Sequence, residues 1–274
     1  MILIVASNKD VASLSIKEQM LKHYDFRETT EKFQGFPIFA SAIKDKNIKL
    51  VTLECETVYA QDLTDFLGES ELVVFISRHS SISGKPTLSV HTPGNLGEAE
   101  LGGLPKRVSV SPANAMRDAL KALWRFNEEM CLNYDVSYEC THHGPSLNVP
   151  TMFVELGSSH VQWKDLKAAE AVAHAVVETI SKFRESKAVV ALGIGGPHYN
   201  SKFTQIALQS EVAFGHIIPK YAIQHVDMEI LMQCVAKTLE KVELALLDWK
   251  GIKGERKPKL LRMIGEINLP YKKV

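Results

Sequence analysis

Seven short apolar runs, most of them separated by stretches of helical periodicity, constrain the fold of this chain more than any other feature. The runs are Ile2 to Ala6, Ile48 to Leu53, Leu72 to Ile76, Arg107 to Val110, Val136 to Thr141, Thr151 to Glu155 and Ala188 to Leu192. Their length suits strands. Ser111-Pro112 supplies an N-cap and a first-turn proline, after which Met116, Ala119, Leu120, Leu123 and Trp124 recur at helical spacing. A second helix follows Trp163, with Ala169, Val172, Val176 and Ile180 on one face; His174 falls on the opposite face and reads as solvated. A third is expected from Asp227 to Trp249. This alternation predicts an α/β protein, a mixed, mostly parallel sheet flanked by helices. No linker or repeat interrupts it, so one domain over residues 1–274 is expected, with a basic C-terminal segment at 250–274. Residues 78–106, rich in Gly, Pro and Ser, read as a long loop between strands, which in a compact domain is usually functional or mobile.

A composition of 45% hydrophobic and 23% charged residues excludes disorder. The first apolar run turns polar at Ser7 and lacks the basic start of a signal peptide, and no run reaches the roughly 18 apolar residues of a membrane helix. A cytoplasmic protein without a membrane partner is expected. Cys55, Cys131, Cys140 and Cys234 form no C-x-x-C pair and read as reduced, mostly buried thiols. Acidic and basic residues balance at 32 each, yet from Lys250 to Val274 eight basic residues stand against two acidic ones. Such an end can dock a phosphate backbone or simply be solvated.

The chemistry-bearing residues fall in five clusters. Ser77-Arg78-His79-Ser80-Ser81 ends an apolar strand, where Arg78, His79, Ser80 and Ser81 can meet a phosphate or carboxylate. Leu88-Ser89-Val90-His91-Thr92-Pro93-Gly94-Asn95 alternates before His91, which suggests a short strand ending in a turn and puts His91 at the reversal of the chain, as a metal ligand or general base. Thr141-His142-His143-Gly144-Pro145 carries two adjacent imidazoles, which converge only if the chain leaves the strand there. The run ending Val154-Glu155-Leu156-Gly157-Ser158-Ser159 delivers a carboxylate whose burial needs a partner or a cation. Gly193-Ile194-Gly195-Gly196-Pro197-His198-Tyr199 is neither a Walker A loop nor a dinucleotide fingerprint; Gly195 and Gly196 can let a ligand approach the backbone, and His198 reads as a reactive or metal-binding group. His216 is a weaker candidate of the same kind.

His91, His142, His143, Glu155 and His198 together form a donor set that zinc accepts. Glu155, His198 and His79 are the candidate catalytic groups. H-E-x-x-H and G-x-S-x-G are absent. The residues alone point to a metal-assisted hydrolase, leaving open a nucleoside phosphorylase-like enzyme using the glycine turn for phosphate, or a non-catalytic RNA binder using the basic end.

These five motifs, in this order, resemble the archaeal and plant D-aminoacyl-tRNA deacylases over nearly the whole chain. The resemblance implies a zinc-dependent hydrolase that cleaves the ester of D-aminoacyl-tRNA to free tRNA and a D-amino acid, a proofreading step in translation. It also implies a fold similar to peptidyl-tRNA hydrolases and nucleoside phosphorylases. The acceptor end of tRNA is then the expected partner, and the protein is expected to be a monomer.

Overall fold

The computed structural model describes the chain from Met1 to Val274, the side chain of Thr64 excepted. It begins with β1 (Ile2–Ser7), α1 (Val11–His23), β2 (Arg27–Phe33), β3 (Phe36–Ile43), β4 (Lys46–Leu53), α2 (Thr64–Leu67) and β5 (Leu72–Arg78). Then follow β6 (Thr87–His91), β7 (Gly94–Asn95), β8 (Arg107–Val108), α3 (Ala113–Glu129), β9 (Asp135–Tyr138), β10 (Thr151–Gly157), α4 (His160–Trp163) and α5 (Leu166–Ser181). The remainder is β11 (Val189–Ile194), α6 (Ser201–Gln209), β12 (Val212–Ile218), α7 (Met228–Ala236), β13 (Leu244–Leu247), α8 (Lys257–Glu266) and β14 (Tyr271–Lys273). No described helix is long and apolar enough to cross a membrane.

The larger sheet has the order β2-β3-β4-β1-β5-β10-β6-β9. Its centre, β4, β1, β5 and β10, is parallel; β6 runs antiparallel to β10 and parallel to β9. The expected α/β class with a mixed, mostly parallel sheet is what forms. A second sheet, β12-β11-β13-β14, is parallel throughout.

Successive residues of a strand face opposite sides. On one side of the larger sheet Ile2, Ile4, Val74, Ile76, Val90 and Val154 are buried in the same apolar cluster as Ile16 and Met20 of α1, Leu120 and Leu123 of α3, and Val172 and Val176 of α5. Each large apolar side chain buried there contributes about 1.5–3 kcal/mol. Side-chain caps fix where these helices begin: Asp10 accepts from Ser13 N, and Asp165 from Lys167 N and Ala168 N. Phe203, Phe214 and Leu246 of the smaller sheet's layer join the same cluster, so the two sheets share apolar core.

Three expectations change. The helix expected from Asp227 to Trp249 ends at Ala236, and Leu244–Leu247 forms β13 between β11 and β14. A four-residue apolar run reads alike as buried helix or buried strand, and backbone pairing on both sides decides for the strand. The loop 78–106 contains β7 in addition to β6, the short strand that the alternation before His91 suggests. Of the cysteines, Cys140 and Cys234 are buried whereas Cys131 is exposed.

Candidate active site

The opposite face of the larger sheet carries the chemistry. Register places Phe75 and Ser77 of β5 beside Phe153 and Glu155 of β10, and these beside His91 and Ser89 of β6. Ser89 in turn lies beside Ser137 of β9. With a period of two, His79 and Glu139 continue the β5 and β9 rows on this face. The result is a buried polar stripe: His79, His91, Glu139 and Glu155 are each less than 5% exposed. Above it lies a cleft of about 530 Å³, lined by Arg78, His79, Ser80, Glu139, His142, His143, Glu155, His198 and Tyr199 among others.

One group of imidazoles is His91, His142 and His143. Ring centroids are 4.3 Å apart for His91 and His142, 4.9 Å for His91 and His143, and 4.2 Å for His142 and His143. The departure from the strand after Tyr138 is what lets two adjacent residues converge, His143 taking φ 40°. Each ring turns Nδ1 to a backbone carbonyl: His91 to Thr92 O at 3.3 Å, His142 to Cys140 O at 2.8 Å and His143 to Gly144 O at 2.7 Å. A carbonyl only accepts, so each Nδ1 carries a proton, and a ring that is neutral then leaves Nε2 a bare lone pair. Burial, with the neighbouring imidazoles, drives His142 well below the usual histidine range and His143 down to about 4.

A second group is held by carboxylates. His79 places Nδ1 3.1 Å from Glu139 Oε1 and 3.6 Å from Glu155 Oε2, and Nε2 3.0 Å from the Tyr199 hydroxyl. Burial opposes its charge, but Glu139 and Glu155 outweigh burial and raise it to about 10. His198 Nε2 donates to Glu139 Oε2 at 2.8 Å, while Nδ1 meets the Tyr221 hydroxyl at 3.0 Å and Cys140 Sγ at 3.3 Å. Burial again opposes the charge, and Cys140 and Glu139 raise His198 to about 10. Burial would lift both carboxylates, yet the imidazoles hold Glu139 well below its usual range and Glu155 at about 2. Ser77 Oγ donates to Glu155 Oε1 at 2.7 Å.

The cleft therefore gathers His79, His142, His143, Glu155 and His198 from widely separated segments, with His91 buried against His142 and His143 behind its wall. It also contains Glu139, which sequence reasoning did not single out although it stands only three residues before His142. The signal was alternation: Ser137 and Glu139 stand two apart, as do Ser89 and His91, and Ser137 pairs with Ser89. Tyr199 and Tyr221 were likewise passed over.

Other expectations are corrected. Arg78 reaches the cleft wall, but its guanidinium is bound by Glu56 at 2.7 and 2.8 Å, so it is not a free phosphate ligand. Ser80 lines the cleft; Ser81 lines a neighbouring hollow of about 830 Å³, beyond Tyr199, which has no histidine in its wall. Gly195 and Gly196 are outside the cleft lining. A Cβ at Gly195 would come within 2.9 Å of Asp248 O, and one at Gly196 within 2.5 Å of Asn200 Nδ2, so tight packing explains these glycines. His216 is wholly buried, bound to Thr141 Oγ1 at 3.1 Å and Lys237 O at 3.2 Å, and is structural. No basic residue of 250–274 lines the cleft.

The donor set suits a divalent cation on two grounds. One nitrogen from each of His91, His142 and His143 lies within 4.8 Å of the others. His91 Nε2 is also buried without a hydrogen-bond partner among the described residues, an orphan that a cation would satisfy. It stands 3.7 Å from Glu155 Oε1, too far for a hydrogen bond. His198, with both ring nitrogens engaged, fits less well as a ligand than as a donor held by Glu139.

Comparison with known proteins points one way. The profile of the D-aminoacyl-tRNA deacylase family matches residues 66–272. The D-aminoacyl-tRNA deacylases of Pyrococcus abyssi and Thermococcus onnurineus are 38% and 36% identical, each over 98% of both chains. That of Methanocaldococcus jannaschii is 35% identical over 99% of both. A crystal structure of a conserved protein of unknown function superimposes at a TM-score of 0.88 and 30% identity, covering 100% of this chain and 95% of the other.

Proposed function

The chain belongs to the D-aminoacyl-tRNA deacylase family and is an enzyme of that class, and from this premise we propose that it hydrolyses the ester of D-aminoacyl-tRNA in the histidine-lined cleft with a bound zinc ion. One observation carries the zinc assignment: three neighbouring imidazoles each commit Nδ1 to a carbonyl and leave Nε2 bare. His91, His142 and His143 would hold the ion, with Glu155 beside it. When bound, it would polarise the ester carbonyl and make water more acidic.

Glu155 is the base. Ionised, with Ser77 Oγ fixing one oxygen, it accepts a proton from the attacking water as the water oxygen bonds to the ester carbon. Tyr199, whose oxygen accepts from charged His79, can turn its hydroxyl into the cleft to stabilise the developing oxyanion, and His198, kept charged by Cys140 and Glu139, favours that negative charge through space. As the carbon–oxygen bond to the ribose breaks, the leaving oxygen takes the proton back from Glu155. His79, clamped between Glu139 and Glu155, keeps the two carboxylates from repelling each other.

The test is deacylation of D-tyrosyl-tRNA and L-tyrosyl-tRNA with and without a chelator. The expected result is release of intact tRNA from the D-substrate, lost on chelation and restored by zinc. Undiminished turnover by protein shown to be metal-free would overturn the zinc assignment and leave the family intact.

A further inference from the structure

His174 was expected to be solvated, yet only 23% of its side chain is exposed, and it belongs to a compact group on the helical face of the larger sheet. His23 is the last residue of α1, and Glu170 and His174 stand four apart on one face of α5. Glu170 Oε1 lies 3.6 Å from His23 Nε2 and 3.5 Å from His174 Nε2, and one ligand atom of each residue is within 4.8 Å of the others. The Tyr24 hydroxyl meets His174 Nδ1 at 2.6 Å. Phe126 of α3 flanks the His174 ring with centroids 5.3 Å apart.

We propose that His23, Glu170 and His174 form a second divalent-cation site, of zinc type, that ties the end of α1 to the middle of α5. The spacing supports this over a hydrogen-bonded trio. Both nitrogen-to-oxygen separations exceed the usual 2.7–3.2 Å of such bonds, whereas ligands about 2.0–2.1 Å from a tetrahedral zinc stand about 3.4 Å apart. Tyr24 adds an independent argument. With the cation on Nε2, His174 carries its proton on Nδ1 and donates it to the Tyr24 oxygen, the outer contact that orients metal-bound imidazoles. Two imidazoles and one carboxylate leave a position for water, and side-chain exposures of 27%, 28% and 23% for His23, Glu170 and His174 give access from solvent. The role is structural: nothing in this group reaches the cleft, and α1 and α5 both pack beneath the sheet that bears it.

The experiment counts bound zinc in the purified full chain and follows thermal unfolding as zinc is added. His23→Ala and His174→Gln should each lose about one zinc per chain and most of the zinc-induced rise in Tm, with deacylation at 25 °C unchanged. His174→Gln keeps the length and polarity of the side chain, so a folding defect would show against His23→Ala. His142→Ala should lose zinc from the cleft while keeping the Tm response, which separates this site from the catalytic one. Unchanged zinc content and an unchanged Tm response in both helix variants would overturn the proposal. So would zinc-independent stability that varies only with pH, the mark of a protonated histidine–glutamate cluster.

Discussion

Two groups of histidines meet at the cleft, and His142 and His143 of one sit in the opposite electrical state to His79 and His198 of the other. His91, His142 and His143 rest against carbonyls and one another, and burial keeps His142 and His143 neutral. His79 and His198 are buried as well, yet Glu139 and Glu155 keep His79 charged, and Cys140 and Glu139 keep His198 charged. The rings of His142 and His198 are only 4.4 Å apart by centroid. Burial lowers all four of these; what separates them is whether a carboxylate stands against the ring to override it. A carbonyl fixes a tautomer, whereas a carboxylate retains a proton.

The contrast breaks most completely if the neutral group loses a member. His142→Ala or His143→Ala should lower kcat for D-aminoacyl-tRNA by about three orders of magnitude, a loss near 4 kcal/mol of transition-state stabilisation. Circular dichroism should be native, and steady-state rates at saturating zinc are the check.

Glu139→Gln attacks the charged group. Removing the carboxylate takes away one of the two groups, with Cys140, that raise His198, so less of it stays charged on the alkaline side. A fall of about 100-fold at pH 8 is expected, with partial recovery on acidification to pH 6. A flat pH profile would separate Glu139 from the charge on His198. Tyr221→Phe is a milder probe: it deletes the hydroxyl at His198 Nδ1 and should cost about tenfold in kcat with little change in KM.

The smallest effect on turnover belongs to His216, buried and neutral outside the cleft. Its folded pKa is about 4, below the free value of 6.5. Its contribution to stability is therefore complete above about pH 6.5 and is lost as the pH falls towards 4, by about 3 kcal/mol. His216→Gln should leave the rate at pH 7 unchanged, cost about 1–2 kcal/mol there for weakened hydrogen bonds, and flatten the acid limb. Urea unfolding at pH 7, 5.5 and 4.5 measures it.

The α/β class was legible because apolar runs and helical periodicity depend on local spacing. His91, His142, His143, Glu155 and His198 were legible as a set because they stand beside Gly, Pro and Ser at turns. Their separation into neutral and charged groups was not, since it depends on which carbonyl or carboxylate each ring meets across the fold. Glu139 hid in an alternating strand, where a polar residue reads as solvent-facing unless the opposite face is known to be buried. Arg78 misled because Glu56, its neutralising partner, lies 22 residues away. The strand at Leu244–Leu247 was ambiguous for want of its neighbours.

The junction between the two sheets has a kinetic consequence. Cys140 N donates to His198 O, Asn200 N donates to Tyr138 O, and Glu139 and Tyr199 form an isolated bridge. Glu139 belongs to the larger sheet's chain, while His198 and Tyr199 arrive on the turn after β11 of the smaller. A folding intermediate with either sheet complete and undocked would thus be catalytically silent. During refolding, turnover should return with the slowest docking event, after secondary structure has recovered.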